Sequence, residues 1–170
     1  MKKILFFASA LAGLFLAASC QRESLEPEVS GNVVSYTIQV PGALSTKVIG
    51  ENVSAVNELV YEVYRTEATA ADDYTQTETK LFQKTAVIKD GTATVDFELV
   101  NNQNFRVLFW AHVNTQENPS VYTTTDLKNV TLSQSLTANA ESYAAFAGSD
   151  FIKYGDNING RTVTLVRPIA

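Results

Sequence analysis

Alternation is the feature that most restricts this chain. From Thr92 to Val100, Ala93, Val95, Phe97 and Leu99 fall on one side and Thr94, Asp96 and Glu98 on the other. A period of two separates the faces of a β-strand and cannot form the single apolar stripe of a helix. Val33–Val40 repeats the pattern, with Val34, Tyr36, Ile38 and Val40 set against Val33, Ser35, Thr37 and Gln39, and Pro41-Gly42 stops it. Glu58–Arg65 alternates again, with Leu59, Tyr61 and Val63 on one side and Val60, Glu62 and Tyr64 on the other. Asp90-Gly91 joins Lys80–Lys89 to Thr92–Val100, a hairpin signal because the primed turns need positive φ.

Further strands are expected at Phe105–Val113, at Asp126–Leu132 and at Arg161–Val166, the last stopped by Pro168. Phe105–Val113 is apolar on both faces and belongs in the middle of a sheet stack. Asn101-Asn102 reads as a turn, Ala68–Thr79 as a threonine-rich loop, and Gln134–Ala145 as a mixed segment with one helical turn. About seven short strands, no long amphipathic helix and no internal repeat predict an all-β sandwich.

The N-terminus reads differently. Lys2 and Lys3 precede an apolar run from Ile4 to Leu16, then the small residues Ala17, Ala18 and Ser19, which is the order of a secretory signal peptide. The apolar run is short for a membrane span. Cys20, the only cysteine, follows directly, and Leu16-Ala17-Ala18-Ser19-Cys20 resembles a bacterial lipobox, with Ala17 where a bulkier aliphatic residue is commonest. The resemblance implies lipidation of Cys20 and anchoring by acyl chains, each buried methylene contributing about 0.8 kcal/mol. One cysteine also rules out an intrachain disulfide, so an exported fold must be held by packing.

This divides the chain into a signal peptide (1–19), an acidic tether (20–32) broken by Pro27 and Gly31, and one domain (33–170). The tether is either a plain solvated linker or a surface-sorting signal. Two of the 13 basic residues lie in the leader, leaving 11 against 18 acidic residues and a net charge of −7. That balance disfavours nucleic acid and anionic headgroups as partners.

Candidates for chemistry are few. His112 is the only histidine and is expected to be structural or surface-exposed. No Gly-x-Ser-x-Gly elbow and no phosphate-cradling glycine loop occurs. Asp72, Asp73, Asp150 and the run Asp156-Asn157-Ile158-Asn159-Gly160 carry calcium-type oxygens, but without a closing glutamate they read as polar turns. Tyr61, Tyr64, Trp110 and Tyr122 serve either as core packing or as platforms for sugar rings. Asn52-Val53-Ser54 and Asn129-Val130-Thr131 match a glycosylation pattern that carries no meaning behind a bacterial lipobox. No enzyme activity, cofactor or metal is expected.

Four stretches carry a family resemblance. They are Val34-Ser35-Tyr36-Thr37-Ile38-Gln39-Val40; Ser45-Thr46-Lys47-Val48 followed by Asn57-Glu58-Leu59-Val60-Tyr61-Glu62-Val63-Tyr64; Asp126-Leu127-Lys128-Asn129-Val130 before Ala144-Ala145-Phe146; and Thr164-Leu165-Val166-Arg167-Pro168-Ile169-Ala170. Together they resemble the fimbrillin-like lipoproteins of the Bacteroidales, subunits of type V pili, although the family often has Asp-Ala-Phe at Ala144-Ala145-Phe146.

The resemblance implies a transthyretin-like β-sandwich followed by a second domain, so the chain is expected to be either a fragment incomplete at its C-terminus, the favoured reading, or a short relative that does not polymerise normally. It implies a protease cut between Lys47 and Val48, and a displaced first strand carrying Val34, Tyr36, Ile38 and Val40. A strand donated by another pilus subunit then fills the groove. Lys47 reads equally as an ordinary loop lysine. The implied role is adhesion from the outer membrane or fimbriae, towards a host or bacterial surface receptor. The competing expectation is a surface glycan-binding lipoprotein using Trp110 or Tyr122.

Overall fold

The computed structural model describes residues 32–41, 55–100, 102–133 and 140–168. Its strands are β1 (Asn32–Gln39), β2 (Glu58–Thr66), β3 (Glu78–Val87), β4 (Thr92–Leu99), β5 (Asn104–His112), β6 (Tyr122–Thr123), β7 (Thr131–Leu132), β8 (Ala145–Ile152) and β9 (Arg161–Thr164). Two sheets face each other, one ordered β4-β1-β9 and the other β3-β2-β5-β8, while β6 and β7 form a small hairpin. Seven strands therefore carry an all-β sandwich, as the alternation predicts.

The inward residues of β4, Ala93, Val95, Phe97 and Leu99, meet Val34, Tyr36 and Ile38 of β1, and Val40 just after it, in one core. Leu59, Tyr61 and Val63 of β2 and Phe105, Val107, Phe109 and Ala111 of β5 close it from the other sheet. Tyr36, Tyr61, Phe82, Phe97 and Phe109 form a chain of stacked and edge-on rings with centroids 5.3–6.4 Å apart. β5 lies between β2 and β8, the central place its apolar faces call for.

The Asp90-Gly91 turn forms, with φ of 50° and 72°, but it does not join two paired strands. Only Lys89 and Thr92 pair across it, at 2.9 Å in both directions. Beyond them β3 runs to β2 while β4 crosses to β1 in the other sheet. The turn thus forms a corner of the sandwich, where apolar faces must follow the core rather than each other. The Gly91 carbonyl accepts from Val40 N at 2.8 Å, and a Cβ on Gly91 would stand 3.2 Å from the Val40 oxygen.

Two further expectations change, and one strand was not foreseen. Asp126–Leu132 is mostly not a strand: Leu127–Asn129 forms a 3-10 turn and only Thr131–Leu132 pairs as a strand. Asp126 caps that turn by accepting from Lys128 N, a local bond that competes with strand pairing. Ala145–Ile152 is a full strand beside β5, although its Ala, Gly and Ser content hides the alternation. The last strand is Arg161–Thr164, after which the chain changes sheet. Leu165 N still donates to Gln39 O in the first sheet at 2.8 Å, whereas Val166 exchanges two bonds with Ala147 in the second, at 2.7 and 2.9 Å. Gly148 permits this crossing, because a Cβ there would lie 2.7 Å from the buried Leu165 side chain.

Candidate functional site

β1 comes first among the described strands, yet it occupies the middle of its sheet. It pairs antiparallel with β4 over its whole length, from Asn32↔Leu99 to Gln39↔Thr92. On its other side it pairs parallel with β9, from Tyr36↔Arg161 to Gln39↔Thr164. The groove that β1 fills is therefore bounded by two strand edges and floored by the core of the opposite sheet. Val34, Tyr36, Ile38 and Val40 are all buried in it. Fully burying a side chain of this size contributes about 1.5–3 kcal/mol, so together they match the whole stability of an ordinary domain, roughly 5–15 kcal/mol.

The groove has one polar feature. The Tyr36 hydroxyl donates to Asp150 Oδ2 at 2.9 Å, and Arg161 Nε donates to the same oxygen at 2.6 Å. Asp150 Oδ1 accepts from Arg161 Nη2 at 3.0 Å and from Phe151 N at 2.8 Å. Strands β1, β8 and β9 thus meet at a single carboxylate. Burial alone would raise the Asp150 carboxyl, but the Arg161 and Tyr36 hydrogen bonds outweigh it and hold the group below the usual carboxylate range. Burial, reinforced by the Asp150 charge, pushes the Tyr36 phenol well above its ordinary range. On the outer face Ser35 Oγ accepts from Gly160 N at 2.8 Å, so neighbouring β1 residues hold the approach to β9 from both faces.

A second polar cluster lies on the outer face of the four-stranded sheet. Glu62 is 0% exposed and accepts from Lys80 Nζ at 2.5 Å, Gln83 Nε2 at 3.0 Å, Leu127 N at 2.9 Å and the Tyr64 hydroxyl. Arg106, 2% exposed, donates to Glu78 at 2.7 Å and to the Ala71 and Asp73 carbonyls at 2.8 and 2.9 Å. Tyr74 stacks over its guanidinium at 4.1 Å. These charges bind the covering loops to the sheet. Sequence reading places Glu62 on the non-core side and leaves Arg106 unremarked; the available signal was a charge inside each of the two most apolar strands.

His112 is buried, not surface-exposed, with Nε2 3.3 Å from Glu58 and Nδ1 without a partner. Burial lowers its pKa, and Glu58 offsets that only partly. Trp110, Tyr61 and Tyr64 are buried as well, and the half-buried Tyr122 packs edge-on against Trp110 at 5.1 Å. The large exposed aromatics among the described residues are Tyr74, Tyr143 and Tyr154. Asp150 is engaged by Arg161, Asp156 accepts from Lys153 N at 3.0 Å, and Asn157 accepts from Asn159 N at 3.1 Å in a local turn. Asp73 likewise accepts from Thr75. Among the described residues no cluster of three or more His, Cys, Asp or Glu is placed to hold a metal, and no helix is long and apolar enough to cross a membrane. Cys20, Lys47 and Val48 lie outside the described residues.

Fold and groove together define a β-sandwich closed by its first described strand, inlaid between two others. The chain belongs to the Family of unknown function (DUF6562), whose model matches residues 28–170 and so takes in every described element. Comparison with curated proteins and with solved structures gives no match.

Proposed function

We propose that this protein is a structural cell-surface lipoprotein, a fimbrillin-like pilus subunit carried to the outer membrane on a lipid at Cys20, that assembles by exchanging β1, and the lipid with it, for a strand of a neighbouring subunit. The observation that supports the reading is the place of β1: it is central in its sheet and supplies the core, yet it stands on the N-terminal side of Lys47. A cut between Lys47 and Val48 would sever β1 from the rest of the domain while leaving it seated between β4 and β9. A groove of this depth does not stay empty, because its walls expose both strand edges and core apolar surface. A donated strand satisfies the edges and fills the pockets in one step.

In this reading the role is mechanical and adhesive rather than catalytic. The partners are other pilus subunits, the outer membrane through the lipid, and a receptor on a host or bacterial surface. The test is the N-terminus and intact mass of the protein sheared from native cells. Filaments whose subunits begin at Val48 support the proposal. A species that still begins at acylated Cys20 and is absent from filaments overturns it.

A further inference from the structure

The groove does more than accept any apolar strand. Three of its four inward side chains, Val34, Ile38 and Val40, are aliphatic and can be satisfied by many sequences. The fourth, Tyr36, is of another kind. Its ring lies 5.9 Å from Phe97 in a stacked arrangement and 5.3 Å from Phe109 edge-on, and its hydroxyl reaches Asp150 at 2.9 Å. Asp150 accepts two hydrogen bonds on each oxygen, and only that of Tyr36 comes from β1. A strand with phenylalanine or leucine at this place leaves one acceptor position of a half-buried carboxylate facing apolar surface, which is costly. A strand with lysine or arginine there adds a second cation beside Arg161.

We infer that the Asp150–Arg161 pair makes the groove selective for a donor strand with tyrosine at the position of Tyr36. The partner is an extended segment with one aliphatic residue two places before that tyrosine and others two and four places after it. It runs antiparallel to β4 and parallel to β9, as β1 does. Serine or another small acceptor just before the tyrosine adds the bond to Gly160 N that Ser35 makes. The inference rests on the strand-exchange reading above and specifies the chemistry of its partner.

The test uses the mature full-length chain with residues 44–47 replaced by a site for a sequence-specific protease, cut once there so that β1 is held only non-covalently. A labelled peptide of residues 32–40 and its Tyr36→Phe and Ser35→Ala versions are offered in excess, and retained peptide is followed by native mass spectrometry. The expected result is capture of the unaltered peptide, with at least about tenfold weaker retention of the Tyr36→Phe peptide and a smaller loss for Ser35→Ala. Equal retention of the tyrosine and phenylalanine peptides overturns the selectivity while leaving strand exchange intact. Capture of no peptide overturns both.

Discussion

Replacing Glu62 by glutamine tests whether the outer cover of the sandwich is held by one carboxylate. The substitution keeps the shape and removes the charge, so no cavity forms. In the native protein all four groups around the carboxylate donate: Lys80 and Gln83 to Oε1, Tyr64 and Leu127 N to Oε2. An amide must turn its NH2 towards one of these pairs. Facing Oε2 it meets the Leu127 N–H, which cannot reverse, although the Tyr64 hydroxyl can rotate to accept. Facing Oε1 it meets the Lys80 ammonium, whose side chain is 37% exposed and can swing into water.

The first orientation loses the Leu127 bond and the second those of Lys80 and Gln83, while the bonds that stay lose their charge assistance; at about 1.5 kcal/mol for each lost bond and about half that for each weakened one, the expected cost is at least about 3 kcal/mol. At about 2–4 °C per kcal/mol for a domain of this size, Tm falls by roughly 10 °C. Urea unfolding gives the free energy, and hydrogen exchange at the Leu127 amide reports on the 3-10 turn itself. A loss below about 1 kcal/mol with that amide still protected would refute the argument.

Three further outcomes follow from the same structure. Gly148→Ala puts a Cβ 2.7 Å from Leu165 Cδ2 and 3.3 Å from Val163 Cγ1; with Leu165 fully buried, the cost is about 1–3 kcal/mol, and a thermal melt unchanged from wild type would contradict it. Because the His112 pKa is lowered by folding, the unfolded chain binds more protons as pH drops below about 6.5, so stability declines there; His112→Gln should flatten that limb in pH-dependent urea titrations. The lowered carboxyls Asp150 and Glu78 add a separate loss only below about pH 4.5, which His112→Gln leaves in place. The raised phenols Tyr36 and Tyr64 contribute stability that is complete below about pH 10 and lost above it; Tyr36→Phe should weaken this alkaline loss and cost about 1–2 kcal/mol at neutral pH.

How much of this was legible in the sequence follows from the range of each interaction. The alternation in Val33–Val40, Glu58–Arg65 and Thr92–Val100 marked which side chains face the core, because strand geometry is local and its period is two. The Asp90-Gly91 turn was legible for the same reason, since positive φ is a property of the residues themselves. The 3-10 turn at Leu127–Asn129 was missed because the cap by Asp126 and the bond from Leu127 N to the distant Glu62 outweigh a weak strand pattern. β8 was missed because small residues pack it against β5 and leave room for Leu165 and Val163, a fit visible only once β9 is in place.

By itself, then, the sequence determined the class of fold and the inward faces of most strands. Tertiary structure decided which strands pair, and it did so against the strongest local hint, since the hairpin signal at Asp90-Gly91 turns a corner between sheets. It also decided that β1 lies between β4 and β9, and that Tyr36, Asp150 and Arg161 meet. These residues stand up to 125 positions apart, Tyr36 and Arg161 being the most distant. No local propensity links them; they meet because burying the apolar faces in one core brings β1, β8 and β9 together, and there the tyrosine hydroxyl and the guanidinium satisfy the carboxylate.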